Sequence, residues 1–302
     1  MTPSPGSTAP HAEQSESDVA AVAERLVARF SSLSGCLVAY SGGVDSAVVA
    51  KAAFLALGDR ALAVTGVSAS LAAGELEAAR RVAADIGIVH RTLATEEFAS
   101  DAYLANAADR CFHCKSELYT RLRPLADELG LGAIVNGANA DDRGDFRPGM
   151  TAADRQGVTS PLLEMGIDKQ TVRRLAAHWR LEVADKPAMP CLSSRVAYGV
   201  SITPERLARI DAAERLLREL GFSTVRVRCH ERELARLEAP LDELPRLLDE
   251  TVRSHITRAL LALGFTYVTV DLQGFRSGSF APLVPVEALI AYARPPAQRP
   301  QD

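Results

Sequence analysis

No part of the chain offers the ~18 consecutive apolar residues that a membrane span needs. The opening stretch "MTPSPGSTAPHAEQSESD" has neither the basic nor the apolar segment of a secretory signal. Rich in Pro, Ser, Gly and Glu, residues 1–18 are expected to form a disordered tail. Positive charge is not in surplus: 34 Lys and Arg face 38 Asp and Glu, a net charge of −4. That balance argues against a large nucleic-acid footprint. The five cysteines, Cys36, Cys111, Cys114, Cys191 and Cys229, are odd in number and unevenly spaced. They do not resemble a disulfide framework and fit a reduced, cytoplasmic protein with thiol chemistry. There is no internal repeat of fixed period and no low-complexity core. What remains is an ordinary globular composition, 47% hydrophobic over 302 residues, which predicts two domains.

Along the chain, apolar positions at helical spacing predict a first helix over 18–33. "GCLVAYS" reads as a buried strand and "VDSAVVAKAAFLAL" as a helix ending at Gly58. "ALAVTGV" reads as a second strand and "GELEAARRVAADIG" as the next helix. A strand near "IVHRTLA", the helix "CKSELYTRLRPLADELG" and the strand "AIVNGAN" continue the alternation. The pattern predicts an α/β fold with a doubly wound, mainly parallel sheet and its ligand at the carboxyl ends of the strands. Beyond Gly149, one helix between loops is expected. From Thr203, the helix "PERLARIDAAERLLRELG", strands "TVRVRCH" and "LARLEA", helix "LPRLLDETVRSHITRALLALG" and strand "YVTVDL" predict a smaller α+β domain. The expected division is a tail over 1–18, the α/β domain over 19–185, a linker over 186–202, the C-terminal domain over 203–288 and a flexible tail over 289–302.

Between the first strand and its helix lies "SGGVDS", residues 41–46. It lacks the lysine of a Walker A loop but keeps the physics of a phosphate cradle. Gly42 and Gly43 permit a tight turn with exposed N–H groups, Ser41 and Ser46 add hydroxyls, and the helix dipole favours an anion. Asp45 is a candidate contact to Mg²⁺ or nucleotide. An ordinary strand-to-helix turn is the plainer alternative. The string resembles the PP-loop of the ATP-pyrophosphatase superfamily (adenine nucleotide alpha hydrolase-like), which implies cleavage of ATP to AMP and pyrophosphate. In "NGANADD", 136–142, that resemblance puts Asn139 and Asp142 on the nucleotide; on physics alone the aspartates fit a solvated turn equally well.

Cys191 follows Pro190 and precedes Arg195 by four residues, a helical i,i+4 spacing. Both a helix start and a guanidinium would favour the thiolate, although an inert buried thiol fits the spacing too. "CFHC" at 111–114 supplies two of the four ligands a structural zinc wants, and Cys191 and Cys229 could complete the set only in space. Cys36 reads as a core residue. In "VRVRC", Arg226 and Arg228 share one strand face, suited to a phosphate or carboxylate, and Arg276 in "GFRSGS" offers a further guanidinium. A solvated basic face is the alternative.

The PP-loop, "RCFHCK", "NGANADD", "SPLLE", "KPAMPCLSSRVAYG", "RVRCH" and "DLQGFRSGS" together resemble the LarE family, the ATP-dependent sacrificial sulfur transferases of nickel-pincer nucleotide biosynthesis. The resemblance spans about residues 20–285. It implies that ATP, with Mg²⁺, adenylates a carboxylate of pyridinium bis-carboxylic acid mononucleotide. Cys191 then attacks to form a thioester and its sulfur leaves, so that dehydroalanine remains. It also implies that Glu214 serves as general base near the thiol and that Arg195, Arg226, Arg228 and Arg276 meet the substrate. A second group in the family carries three cysteines around this segment and an iron–sulfur cluster. The segment here has one, which favours the single-turnover type. The expected partners are the small mononucleotide, further copies of the chain as a homo-oligomer and other nickel-pincer biosynthesis proteins, with no nucleic acid and no membrane. Three other readings stand beside this one: an ammonia-dependent PP-loop carboxylate amidase, which would need no cysteine, a tRNA thiolase and a non-enzymatic nucleotide-binding regulator.

Overall fold

The computed structural model describes residues 16–143, 147–187 and 189–276. The expected tails, apart from residues 16–18, and the stretch from 277 onward lie outside the described residues. Four strands, β1 (Cys36–Ala39), β2 (Ala61–Val67), β3 (Val89–Ala94) and β4 (Ala133–Val135), pair in parallel in the order β3-β2-β1-β4. The alternation of β1 divides its side chains between two layers. Cys36 and Val38 pack with helices α1 (Glu16–Phe30), α2 (Val44–Leu57) and α3 (Glu75–Ile86), whereas Leu37 packs under α5 (Arg110–Glu128) on the other face. α2 is apolar nearly all round and correspondingly buried, its alanines allowing close approach to sheet and helices. The strand order reverses between β1 and β4, which places a crevice at their carboxyl ends.

α1 starts at Glu16, inside the stretch expected as a tail. A one-turn helix, α4 (Asp101–Leu104), was not expected; Ser100 caps it by accepting from Tyr103 N. Beyond Gly149 there are three helices rather than one: α6 (Pro148–Arg155), α7 (Pro161–Glu164) and α8 (Lys169–His178). Proline opens the first two, and Asp168 caps α8 by accepting from Thr171 N at 2.8 Å.

A second sheet carries β5 (Arg226–His230), β6 (Leu234–Glu238) and β7 (Tyr267–Val270) in that order, antiparallel then parallel. It is preceded by α9 (Pro204–Glu219). The single long helix expected between β6 and β7 is two, α10 (Leu244–Leu248) and α11 (Glu250–Ala262). Asp249 leaves helical geometry at ψ 137° and accepts from Thr251 N and Val252 N, starting a new helix inside the apolar repeat.

The stretch 186–202, expected as a linker, is part of this second core: Leu192, Val196 and Ile202 are buried with α9 and β5. Ala72 and Tyr103, from the first sheet's connections, join the same cluster. Among the described residues no helix is long and apolar enough to cross a membrane.

Candidate active site at the strand ends

The chain must reverse after β1 to start α2. Gly42 does so at φ +73°, where a Cβ would lie 2.7 Å from the Cβ of Ala79, so glycine alone fits. Gly43 is the N-cap of α2 and carries no capping side chain, which presents the helix's first amides to the crevice. The serines close the turn. Ser46 Oγ donates to Gly43 O at 3.0 Å and accepts from Ser41 N at 3.2 Å, and the two hydroxyls stand 3.1 Å apart.

The other wall comes from the segment after β4. Gly137 presses so closely on α2 that a Cβ there would sit 2.7 Å from Ser46 N. Asn139 Nδ2 donates to Asp45 Oδ1 at 2.9 Å, and Lys169 Nζ donates to Asp45 Oδ2 at 2.5 Å. Lys169 N also donates to Asp141 Oδ2 at 3.0 Å. Asp45 is therefore the meeting point of the loop after β1, the turn after β4 and the start of α8. Asp142 is turned away from this point. Its Oδ2 caps Asn139 N at 2.9 Å and its Oδ1 pairs with Arg147 Nη1 at 2.8 Å. It shapes the turn that presents Asn139.

Cys191 is exposed. The next residue anchors it to the first sheet, Leu192 N donating at 2.9 Å to Ser70 O beyond the end of β2. From the other side, buried Asn106 clasps the turn. At φ +54° its Nδ2 donates to Ala197 O at 2.8 Å, Val200 O at 2.9 Å and Val196 O at 3.3 Å. Arg110 Nη1 holds the Asn106 Oδ1 and donates to Ser193 O at 2.8 Å, and Tyr103 Oη lies 2.6 Å from Ser193 Oγ. Burial works against the charge of Arg110, but Cys111 and Cys191 outweigh it and raise its pKa. α5 thus brings the "CFHC" stretch beside Cys191, a neighbourhood the sequence spacing did not demand. The Cys114 thiol is pushed up to about 12, by burial first and by Cys191 second. Burial also raises Cys36 and Cys229 to about 12, so those three thiols stay protonated. Among the described residues no three His, Cys, Asp or Glu side chains gather as ligands for a metal ion.

No protein-family model matches the chain. It is 46% identical over 255 residues to an uncharacterized protein of Synechocystis, covering 84% of this chain and 95% of the relative. It is 37% identical over 254 residues to the pyridinium-3,5-bisthiocarboxylic acid mononucleotide synthase of Lactiplantibacillus plantarum, covering 84% of this chain and 91% of the relative. The chain belongs to the LarE family. A wider kinship reaches the tRNA-specific 2-thiouridylase of Rickettsia felis, 31% identical over 187 residues, half of each chain. That kinship places this LarE chain in the PP-loop superfamily, in keeping with its parallel sheet.

Two residues expected at the LarE thiol form a buried ion pair. Arg195 is fully buried, its Nε and Nη2 paired with Glu214 at 2.9 and 3.2 Å, while Nη1 holds Pro190 O and Cys191 O. Cys191 caps a four-residue 3₁₀ turn (Leu192–Arg195) with Pro190 outside it, so the i,i+4 helix face expected from spacing does not exist. Arg195 shapes the cysteine's backbone. Glu214 is fully buried and both its oxygens are occupied, by Arg195, by Arg218 at 2.9 Å and by Val227 N at 3.2 Å. So engaged, the carboxylate braces Arg195, Arg218 and the start of β5.

The β5 arginines share a face, yet it is not a solvated one: Arg226 and Arg228 are 5% and 8% exposed. Arg228 is held by Glu238 Oε2 at 2.8 and 3.0 Å and donates to Ser194 O, which makes it a second brace of the cysteine turn. Arg226 stacks on Phe275 and donates to Met189 Sδ at 3.6 Å. Burial, then Arg195, push its pKa down to about 10. It still carries its charge at neutral pH, in a region crowded with cations. Arg276 is half exposed, 3.9 Å from Asp271.

Proposed function

We propose that this chain uses ATP to adenylate a carboxylate of a pyridinium dicarboxylate mononucleotide, releasing pyrophosphate, and then transfers the sulfur of Cys191 to it in nickel-pincer cofactor biosynthesis. The observation that carries the reading is the bond from Leu192 N to Ser70 O. It ties an exposed thiol to the end of β2, the strand beside the PP-loop's own β1. The name of the Lactiplantibacillus relative supplies the substrate class.

In this reading Ser41, Gly42, Gly43 and Ser46 cradle the phosphates through the α2 amides and their hydroxyls. Asn139 holds Asp45 in place beside them. Asp45 is the residue that would hold Mg²⁺, with phosphate and water oxygens completing a hard-ligand shell once Lys169 releases Oδ2. An ion held there would supply positive charge opposite the pyrophosphate leaving group. A free carboxylate is a poor electrophile; adenylation gives it a good leaving group, and the Cys191 thiolate outcompetes water in a closed site. Arg226 and Arg276 receive the anionic groups of the substrate.

The reading is tested by separating the products formed with ATP, Mg²⁺ and the dicarboxylate mononucleotide. AMP and pyrophosphate are expected; ADP and orthophosphate would overturn it. Purified protein that contains iron and acid-labile sulfide and turns over repeatedly would instead assign Cys111, Cys114 and Cys191 to a cluster. Asp45→Ala should cut pyrophosphate release by roughly a hundredfold or more, with little change in a thermal melt, because its partly exposed pair with Lys169 adds little to stability. Arg226→Ala should weaken substrate binding roughly ten- to a hundredfold, with ATP binding kept, as expected for loss of charge-assisted hydrogen bonds. Titrating each ligand separately into the variant checks the split, since equal losses for both would indicate a folding defect.

A further inference from the structure

A cavity of about 610 Å³ opens at the free edge of the first sheet, where β3 pairs on one side only. α3 contributes Arg80 and Ala84 to its walls, and the chain entering β3 contributes Ile88, His90, Arg91 and Thr92. Strand alternation puts Ile88, His90 and Thr92 on the face that α3 covers. Arg80 pairs with Glu77 at 3.3 Å between two exposed side chains, a weak pair that yields to a better anion. His90 is oriented from behind. Thr65 Oγ1 gives its single proton to Tyr40 O at 2.8 Å, so it accepts from His90 Nε2 at 2.8 Å. The neutral ring therefore carries its proton on Nε2, and among the described residues Nδ1 has no partner. Burial first, then Arg80, holds the ring below the ordinary histidine range, so it is neutral at pH 7. The other ionisable groups around it are Glu77 and Asp85 of α3, Arg91 of β3 and Tyr40, whose ring stands edge-on to His90 at 5.5 Å.

We propose that this cavity binds the phosphate group of a small molecule between Arg80 and His90. Arg80 supplies a planar fork of donors, and Thr92 adds a hydroxyl at the rim. His90 becomes a further donor when Nδ1 takes a proton, while Ala84 and Ile88 give an apolar wall for the rest of the ligand. An anion beside an imidazole favours its charged form, so binding takes up a proton and strengthens as pH falls. The site lies behind the PP-loop. Tyr40 leads directly into Ser41, and its hydroxyl donates to Ala79 O at 3.2 Å. Ala79 is also the residue on which Gly42 rests. A dianion held there opposes the phosphates of a nucleotide in the loop and weakens nucleotide binding. The site is independent of the sulfur-transfer reading; only this effect rests on ATP occupying the PP-loop.

The test is calorimetric titration of the full chain with its PP-loop filled by α,β-methylene-ATP, so that added anions meet only other sites. Orthophosphate and AMP are titrated separately, and each should bind once per chain. Equal affinities assign the site to free phosphate; tighter AMP assigns it to a nucleotide. Arg80→Ala, at an exposed position, should weaken binding roughly ten- to a hundredfold. Sulfate, whose charge is constant across the histidine range, should bind the wild type more tightly as pH falls through that range. His90→Gln keeps a donor for Thr65 but cannot take a proton, so it should bind weakly and with no pH slope. Orthophosphate should lower the wild type's affinity for α,β-methylene-ATP by roughly fivefold or more beyond its effect on Arg80→Ala, where only competition at the PP-loop remains. No binding by the filled wild type, or unchanged binding by Arg80→Ala, would overturn the site. A flat pH profile in the wild type would overturn the role of His90, and equal effects on nucleotide affinity would overturn the link to the PP-loop. Protein that binds no α,β-methylene-ATP would overturn the adenylation reading instead, and the same titrations of the unfilled chain would then decide the site.

Discussion

Replacing Cys191 by serine is expected to leave pyrophosphate release intact and to abolish sulfur transfer completely. The PP-loop, Asp45 and Asn139 contact one another and not Cys191, so adenylation should not sense the change. The serine hydroxyl fills nearly the same volume at an exposed position, so folding should not sense it either. In the wild type the loss of an H₂S equivalent should map, by peptide mass spectrometry, to the peptide that holds Cys191. One sulfur should appear in product per chain. A loss mapped to Cys111, Cys114 or Cys229 would refute the assignment. Unchanged product formation by the serine variant would favour the ammonia-dependent amidase, which needs no thiol. Of the five cysteines, Cys36 and Cys229 are buried and Cys114 is held as a thiol with its pKa at about 12. Only Cys111 shares the exposure of Cys191, which makes Cys111→Ser the matched control.

Arg195→Met should destabilise the chain by about 3–5 kcal/mol, the range for removing one partner of a buried ion pair. The change leaves Glu214 fully buried with Arg218, half-exposed, as its remaining cation, and it frees Pro190 O and Cys191 O from their donor. The double variant Arg195→Met with Glu214→Gln should recover more than half of that loss, because no uncompensated buried charge remains and a glutamine oxygen can still accept from Val227 N. Urea unfolding midpoints of the three proteins check this. If Arg195 instead met substrate, as its spacing from Cys191 suggested, the single variant would bind substrate poorly and unfold like the wild type.

The first half of the fold was legible because its signals are local. The strand–turn–helix around "SGGVDS" combines an apolar run, two glycines and a continuous apolar helix, and β2 and α2 fall within the expected limits. What escaped depends on distant partners. Lys169 lies 124 residues from Asp45 in sequence, and Asn106 lies 90 or more from the carbonyls it clasps. Nothing in the local pattern of either residue announces those bonds. The weak signals available were a lone lysine just after the Asp168 cap and an asparagine in a "LANA" stretch, a residue tolerant of positive φ. Arg195 misled because i,i+4 spacing has meaning only on an α-helix, and the segment is a 3₁₀ turn opening after a proline. The paired arginines of β5 were rightly put on one face. The sequence could not reveal that Glu238, ten residues on across the β5–β6 pairing, claims one of them.

The clasp of Asn106 has a consequence for what happens after the reaction. The turn bearing Cys191 is held by its backbone carbonyls and by Leu192, Ser193 and Val196, while Cys191 itself is exposed. Removing sulfur would therefore delete no core contact and no hydrogen bond of the clasp. A used molecule would keep its melting temperature, its resistance to proteases and its grip on nucleotide, and would compete with fresh molecules for ATP. Any system that removes it would have to recognise the altered residue 191 itself, since the rest of the surface would carry no sign of the turnover.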